Sequence, residues 1–118
     1  MMRLSEEGEL NQIFNFLHRL GATANYTGFF YTAYGTLLCM KEPRRLTLVT
    51  KWLYPDVARY YDTNWKAVER SIRTMISYLW NNHAEMLNGL AGYPMKTKPS
   101  PAEFLSILVV SLSEQLIA

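Results

Sequence analysis

The sequence predicts an all-α fold organised around a helix-turn-helix, and three observations carry that expectation. Val68, Ile72, Met75, Ile76 and Leu79 recur at helical period, while Lys66, Glu69, Arg70, Arg73 and Ser77 fall on the opposite side. The preceding run YPDVARYY reads as a second helix, separated from the first by the short DTN segment. Helix-start chemistry returns near the end of the chain, where Ser100, Pro101, Ala102 and Glu103 form a capping-box pattern with proline at the first helical position.

In chain order, residues 5–20 read as a helix. Ser5 suits the cap, Glu6 and Glu7 suit the first turn, and Gly21 suits the stop. Leu10, Ile13, Phe14 and Leu17 make its inward stripe, with His18 at the edge. Residues 22–25 connect to Tyr26–Met40, which is apolar and aromatic nearly all round and reads as a central buried helix. A strand competes there because of the aromatics, but the length and the lack of strict alternation favour helix. Gly28 and Gly35 cost about 1 kcal/mol each relative to Ala in a helix, so they mark expected close helix contacts. Cys39 is expected to be a small core residue, since no base or orienting partner accompanies it.

Lys41–Arg45 is a charged connector containing Pro43, and Leu46–Leu53 reads as helical. The helix-turn-helix then occupies about 54–80, with Trp65–Leu79 as its reading helix. Pro55 stands where a first-turn proline is tolerated, and Ala58 is small where two helices must cross. Asp62 falls at the turn position that needs a left-handed backbone, and Asn64 is placed to cap the second helix. Asn81 and Asn82 break the pattern. His83–Leu90 reads as a short helix closed near Gly89, and Gly92–Pro99 as extended or turn-like. The last helix runs to about Leu116, with Phe104, Ile107, Leu108, Leu112 and Leu116 inward.

At 118 residues and 49% apolar composition, the chain suits one domain with a sizeable core. The formal net charge is only +2, yet residues 41–73 hold eight cations against four anions. Positive charge therefore concentrates on and just before the reading helix. A single cysteine excludes an internal disulfide, which agrees with the cytoplasm, and no run approaches a membrane span. There is no glycine-rich phosphate loop, metal-ligand spacing or nucleophile elbow, so neither catalysis nor a cofactor or metal is expected.

The outward row of Lys66, Glu69, Arg70, Arg73 and Ser77 suits double-stranded DNA. Arginine forks and lysine points fit guanine edges and phosphates, and a helix has the width of the major groove. Arg44, Arg45 and Lys51 are candidate phosphate contacts from the connector, and Lys96 and Lys98 from the late loop. The bland alternative is an ordinary helical hairpin whose basic face is merely solvated.

The run KWLYPDVARYYDTNWKAVERSIRTMISYLW, with FLHRLG upstream and GYPMKTKPSPAEF downstream, resembles the C-terminal effector domain of the stage-zero sporulation response regulators. The resemblance spans about Leu10 to Leu116. It implies an all-helical, six-helix domain that binds short TGNCGAA-like boxes, often as head-to-tail copies on tandem boxes. It also implies contact with RNA polymerase and its sigma factor, in the region of His83–Gly89. Glu69, Arg70 and Arg73 match the family's recognition residues, with Lys66, Asn64, Thr74 and Ser77 alongside. Three residues depart from the family pattern. Ala67 stands where an arginine is common, Thr74 where a histidine is, and Trp65 where a small residue is usual. Family members usually carry a phosphorylated receiver domain that this chain does not contain, so an excised domain or a short standalone relative is expected. A receiver-less module that pairs with a full-length regulator, without strong DNA binding of its own, is the competing functional expectation.

Overall fold

The computed structural model describes the backbone of residues 4–117 and the side chains of residues 6–114. The expected Ser5 cap and the inward Leu116 lie outside the described side chains. Every regular element among the described residues is helical. α1 spans Leu4–Arg19, α2 Thr27–Lys41, α3 Val49–Trp52, α4 Tyr54–Tyr60, α5 Trp65–Asn82, α6 Ala84–Ala91 and α7 Pro101–Ile117, with a 3-10 turn at Pro43–Thr47. Six of these helices run seven residues or more, and α3 is a single turn.

α2 is the hub. It is the apolar, aromatic helix of the sequence, and it packs against α1, α4, α5 and α7. Phe29, Ala33, Leu37 and Cys39 are buried along it. Burial pushes the Cys39 thiol up to about 11, so it is a protonated core residue at neutral pH. The crossing with α5 is very close at Gly28. A Cβ there would press on the Ser71 carbonyl and stand 2.7 Å from its carbon. Gly35 is different: a Cβ would meet Leu53 and Val57 at an ordinary 3.6 Å, so only one of the two expected close contacts exists.

The core face of α5 is the stripe seen in the sequence, with Val68, Ile72, Met75, Ile76 and Leu79 all buried. On α7, Phe104, Leu108 and Leu112 are buried as expected, and Leu105 and Val109 join them. Its capping box is reciprocal. Glu103 N–H donates to Ser100 Oγ at 3.1 Å, and Ser100 N–H donates to Glu103 Oε1 at 3.3 Å.

Three element boundaries differ from expectation. Leu46–Leu53 is not one helix, because the extended backbone of Leu48 (φ −157°, ψ 76°) separates the 3-10 turn from α3. Thr47 Oγ1 closes that 3-10 turn by donating to the Arg44 carbonyl at 2.7 Å. α5 continues through Asn81 to Asn82, whose side chain donates to the Tyr78 carbonyl at 3.0 Å and prolongs the last turn. α6 runs past Gly89 and ends at Gly92, whose φ of +83° supplies the left-handed cap.

Candidate nucleic-acid interface

The site is built by α4, the turn 61–64 and α5. α4 is short and amphipathic, burying Tyr54, Val57 and Ala58 against the core. The chain reverses at Asp62, the only non-glycine residue with positive φ (+54°) among the described residues. Aspartate tolerates that left-handed conformation better than most side chains. Asn64 then caps α5, its Oδ1 accepting from the Ala67 N–H at 2.9 Å. Both turn expectations thus correspond to the observed backbone. Asn64 was also a candidate DNA contact, and its side-chain oxygen is engaged in this cap.

The outward face of α5 carries Lys66, Glu69, Arg70, Arg73, Thr74 and Ser77. From Lys66 to Ser77 the face is about 16 Å long at 1.5 Å per residue, the length of roughly five stacked base pairs. Lys66, Arg70, Arg73 and Thr74 are exposed, while Glu69 and Ser77 are partly covered. The Arg70 guanidinium makes no hydrogen bond or ion pair among the described residues. Arg73 Nη2 lies 3.6 Å from Glu69 Oε1, so this pair is oriented along the helix. Beneath it is the buried Tyr54 phenol. Burial, and then the Glu69 carboxylate, push its pKa up to about 12, against a smaller opposing effect of Arg73. The phenol therefore stays neutral behind the charged face. Thr74 Oγ1 donates back to the Arg70 carbonyl at 3.0 Å.

The late loop reaches this face. Lys98 Nζ donates to Ser77 Oγ at 2.7 Å and adds a cation at the C-terminal end of the row. The loop is held from behind by Met95 N–H, which donates to Asn88 Oδ1 on α6 at 2.9 Å. Lys96 is exposed on the same loop.

A model of the sporulation initiation factor Spo0A C-terminal family matches residues 13–112 of this chain. The chain belongs to that family. It is a DNA-binding domain of the sporulation-initiation type, and its all-helical fold among the described residues agrees with the helical domain of that family. The family is one of transcription-factor domains rather than of enzymes. No helix is long and apolar enough to cross a membrane among the described residues.

Within this Spo0A-type domain the connector cations divide. Lys51 is exposed and carries no ion pair among the described residues, and Arg44 is exposed beside Glu42 at 3.1 Å. Together with Trp52 they line an open hollow of about 380 Å³ next to α4. Arg45, the third candidate, is engaged internally. Its side chain is only 18% exposed, pairs with Asp56 at 2.6 Å and donates to the Trp52 carbonyl. It pins the 3-10 turn to the start of α4, which corrects the expectation of a free phosphate contact. No sequence pattern announces that pin, because the partners are eleven residues apart across a helix break. One cation escaped the sequence reading of the site. Arg59, on the outer side of α4, is 78% exposed and pairs with the same Asp56 at 3.0 Å. Its position on the first helix of the motif was the available signal.

Proposed function

We propose that this chain is a sequence-specific reader of double-stranded DNA that lays α5 in the major groove of TGNCGAA-like boxes. The observation that carries the proposal is Arg70. It is a fully available guanidinium at the centre of a basic, outward helix face, flanked one turn away by Lys66 and by Arg73. Arginine bidentate to a guanine edge is the commonest specific contact in the major groove. Glu69 holds Arg73 in place, and Lys66 and Lys98 close on phosphates at the two ends of the row. Lys51, Arg44 and Lys96 extend the backbone contacts.

A net charge of only +2 makes a single copy a modest binder, and head-to-tail copies on tandem boxes raise affinity through effective concentration. α6 turns Glu85 and Met86 outward, and a contact with a polymerase sigma factor falls on that helix.

The test is binding to a duplex with two tandem boxes against a scrambled duplex, across a salt series. Selective binding that weakens with salt is expected. Arg70→Ala should remove about 1–3 kcal/mol of the discrimination. Equal, weak binding to both duplexes would sink the proposal in favour of a module that acts by pairing with a full-length regulator.

A further inference from the structure

Trp65 is the first residue of α5, and its indole is 40% exposed in a chain that buries most of its large apolar side chains. The exposure does not come from a failed core contact, since the α5 core stripe begins one turn later at Val68 and is closed. The indole forms one wall of an open groove of about 440 Å³ between α4 and the start of α5, with Pro55, Arg59, Asp62 and Asn64 on the other sides. The Lys66 ammonium lies 5.8 Å from the ring centroid. No hydrogen-bond partner of the indole N–H is found among the described residues.

Position on the helix decides what such a ring would meet. Successive residues are about 100° apart around a helix, so Trp65 stands roughly 100° round from the centre of the row formed by Lys66, Arg70 and Arg73, on the side of α4. Only its place in the first turn, ahead of the core contacts, leaves it exposed at the edge of the inserted face. A helix with side chains is 10–12 Å wide, and the major groove is about 12 Å wide. Residues at the centre of the inserted face therefore meet base edges, and those at its margin meet the sugar–phosphate wall. A ring there packs on deoxyribose, and its N–H points at a non-bridging phosphate oxygen. Arg59, on the α4 side of the groove and 78% exposed, supplies the cation for that phosphate by giving up its ion pair with Asp56, which keeps Arg45 as its partner. The Asp62 carboxylate in the same groove opposes a bare anion, so an occupant needs the sugar contact as well as the charge.

Resting on the DNA-reading proposal above, we propose that the Trp65–Arg59 groove is a seat for one DNA strand. In it Trp65 packs on the deoxyribose and Arg59 holds the adjacent phosphate. Trp65 sets affinity without reading sequence.

The experiment combines duplex binding by anisotropy with tryptophan emission on the whole chain, using wild type, Trp65→Ala, Trp65→Phe and Arg59→Ala. Thermal unfolding confirms that each variant is folded, and unchanged midpoints are expected for the exposed Trp65. DNA should quench a component of the emission that is lost in Trp65→Phe. Trp65→Ala should weaken binding about tenfold on the tandem-box and scrambled duplexes alike. It should leave the salt slope unchanged, because a neutral side chain releases no counterion. Arg59→Ala should lower the slope by about one. If wild type binds but emission from Trp65 does not move, this proposal is wrong while the reading by α5 stands. A loss in Trp65→Ala confined to the box duplex would also overturn it, by making Trp65 a base contact. Absence of any binding by wild type overturns both proposals.

Discussion

Gly28→Ala tests whether the reading helix is held in place by one close backbone crossing. A methyl at Gly28 would stand 2.7 Å from the Ser71 carbonyl carbon and 3.1 Å from the Ile72 Cα. Ordinary contact begins at 3.4 Å, so clearing the carbonyl carbon alone takes about 0.7 Å, and the Ser71 carbonyl oxygen, nearer still, makes α2 and α5 separate further or tilt. The obstructing atoms are backbone of α5 and cannot swing aside as a side-chain tip would. A gap of about that size forfeits a quarter to a half of the dispersion energy of the atoms it parts. Overpacking against such an obstacle costs about 3 kcal/mol, at the upper end of the usual range, and the better helix propensity of alanine returns about 1 kcal/mol. The expected net loss is about 2 kcal/mol, or a melting temperature lower by about 8 °C for a domain of this size. Gly89→Ala is the matched control. Gly89 lies inside α6 with nothing within 4 Å of a Cβ, so propensity alone acts, and a gain of about 1 kcal/mol is expected. Thermal and urea unfolding followed by circular dichroism read both. A Gly28→Ala protein as stable as wild type, or more so, would refute the crossing geometry.

The other predictions concern buried polar groups and ion pairs. The Thr32 and Thr36 hydroxyls are buried without a hydrogen-bond partner, so Thr36→Val, nearly the same shape, should stabilise by about 1 kcal/mol; a lower urea midpoint would show that the hydroxyl is satisfied. Asp56→Ala leaves the largely buried Arg45 with only the Glu42 carboxylate at 3.8 Å and the Trp52 carbonyl, and should cost about 1–2 kcal/mol after allowance for partial exposure, with part regained in Asp56→Ala combined with Arg45→Met. Tyr54, with a folded-state pKa of about 12 against an ordinary value of 10, contributes stability that is complete below pH 10 and is lost as pH rises toward 12. The amount is about 3 kcal/mol; Tyr61, pushed up to about 12, and Cys39, pushed up to about 11, add to the same window, so Tyr54→Phe should lower the slope of stability against pH by about one proton's worth without abolishing it.

The helix-turn-helix was legible because its determinants are local. The left-handed Asp62, the Asn64 cap and the inward stripe of α5 each act within a few turns of chain, as does the Ser100–Glu103 box that starts α7. The helix ends were less legible. Asn82 prolonged α5 by folding its side chain back onto Tyr78, and Gly89 was absorbed into α6 because nothing near it opposes a helix. The two glycines of α2 looked alike in the sequence, yet only Gly28 faces a backbone.

What the sequence determined by itself was the fold class, the reversal between α4 and α5, and which residues of α5 face outward. Periodicity and caps depend on neighbours three or four residues away, and the sequence displays those directly. Only the tertiary structure decided which cations are available. It engaged Arg45 with Asp56, brought Lys98 to Ser77 from 21 residues away, and set Trp65 and Arg59 on one open groove. The physical reason is that a charge's availability depends on which distant partners the fold brings within a few ångströms, and no local pattern records that.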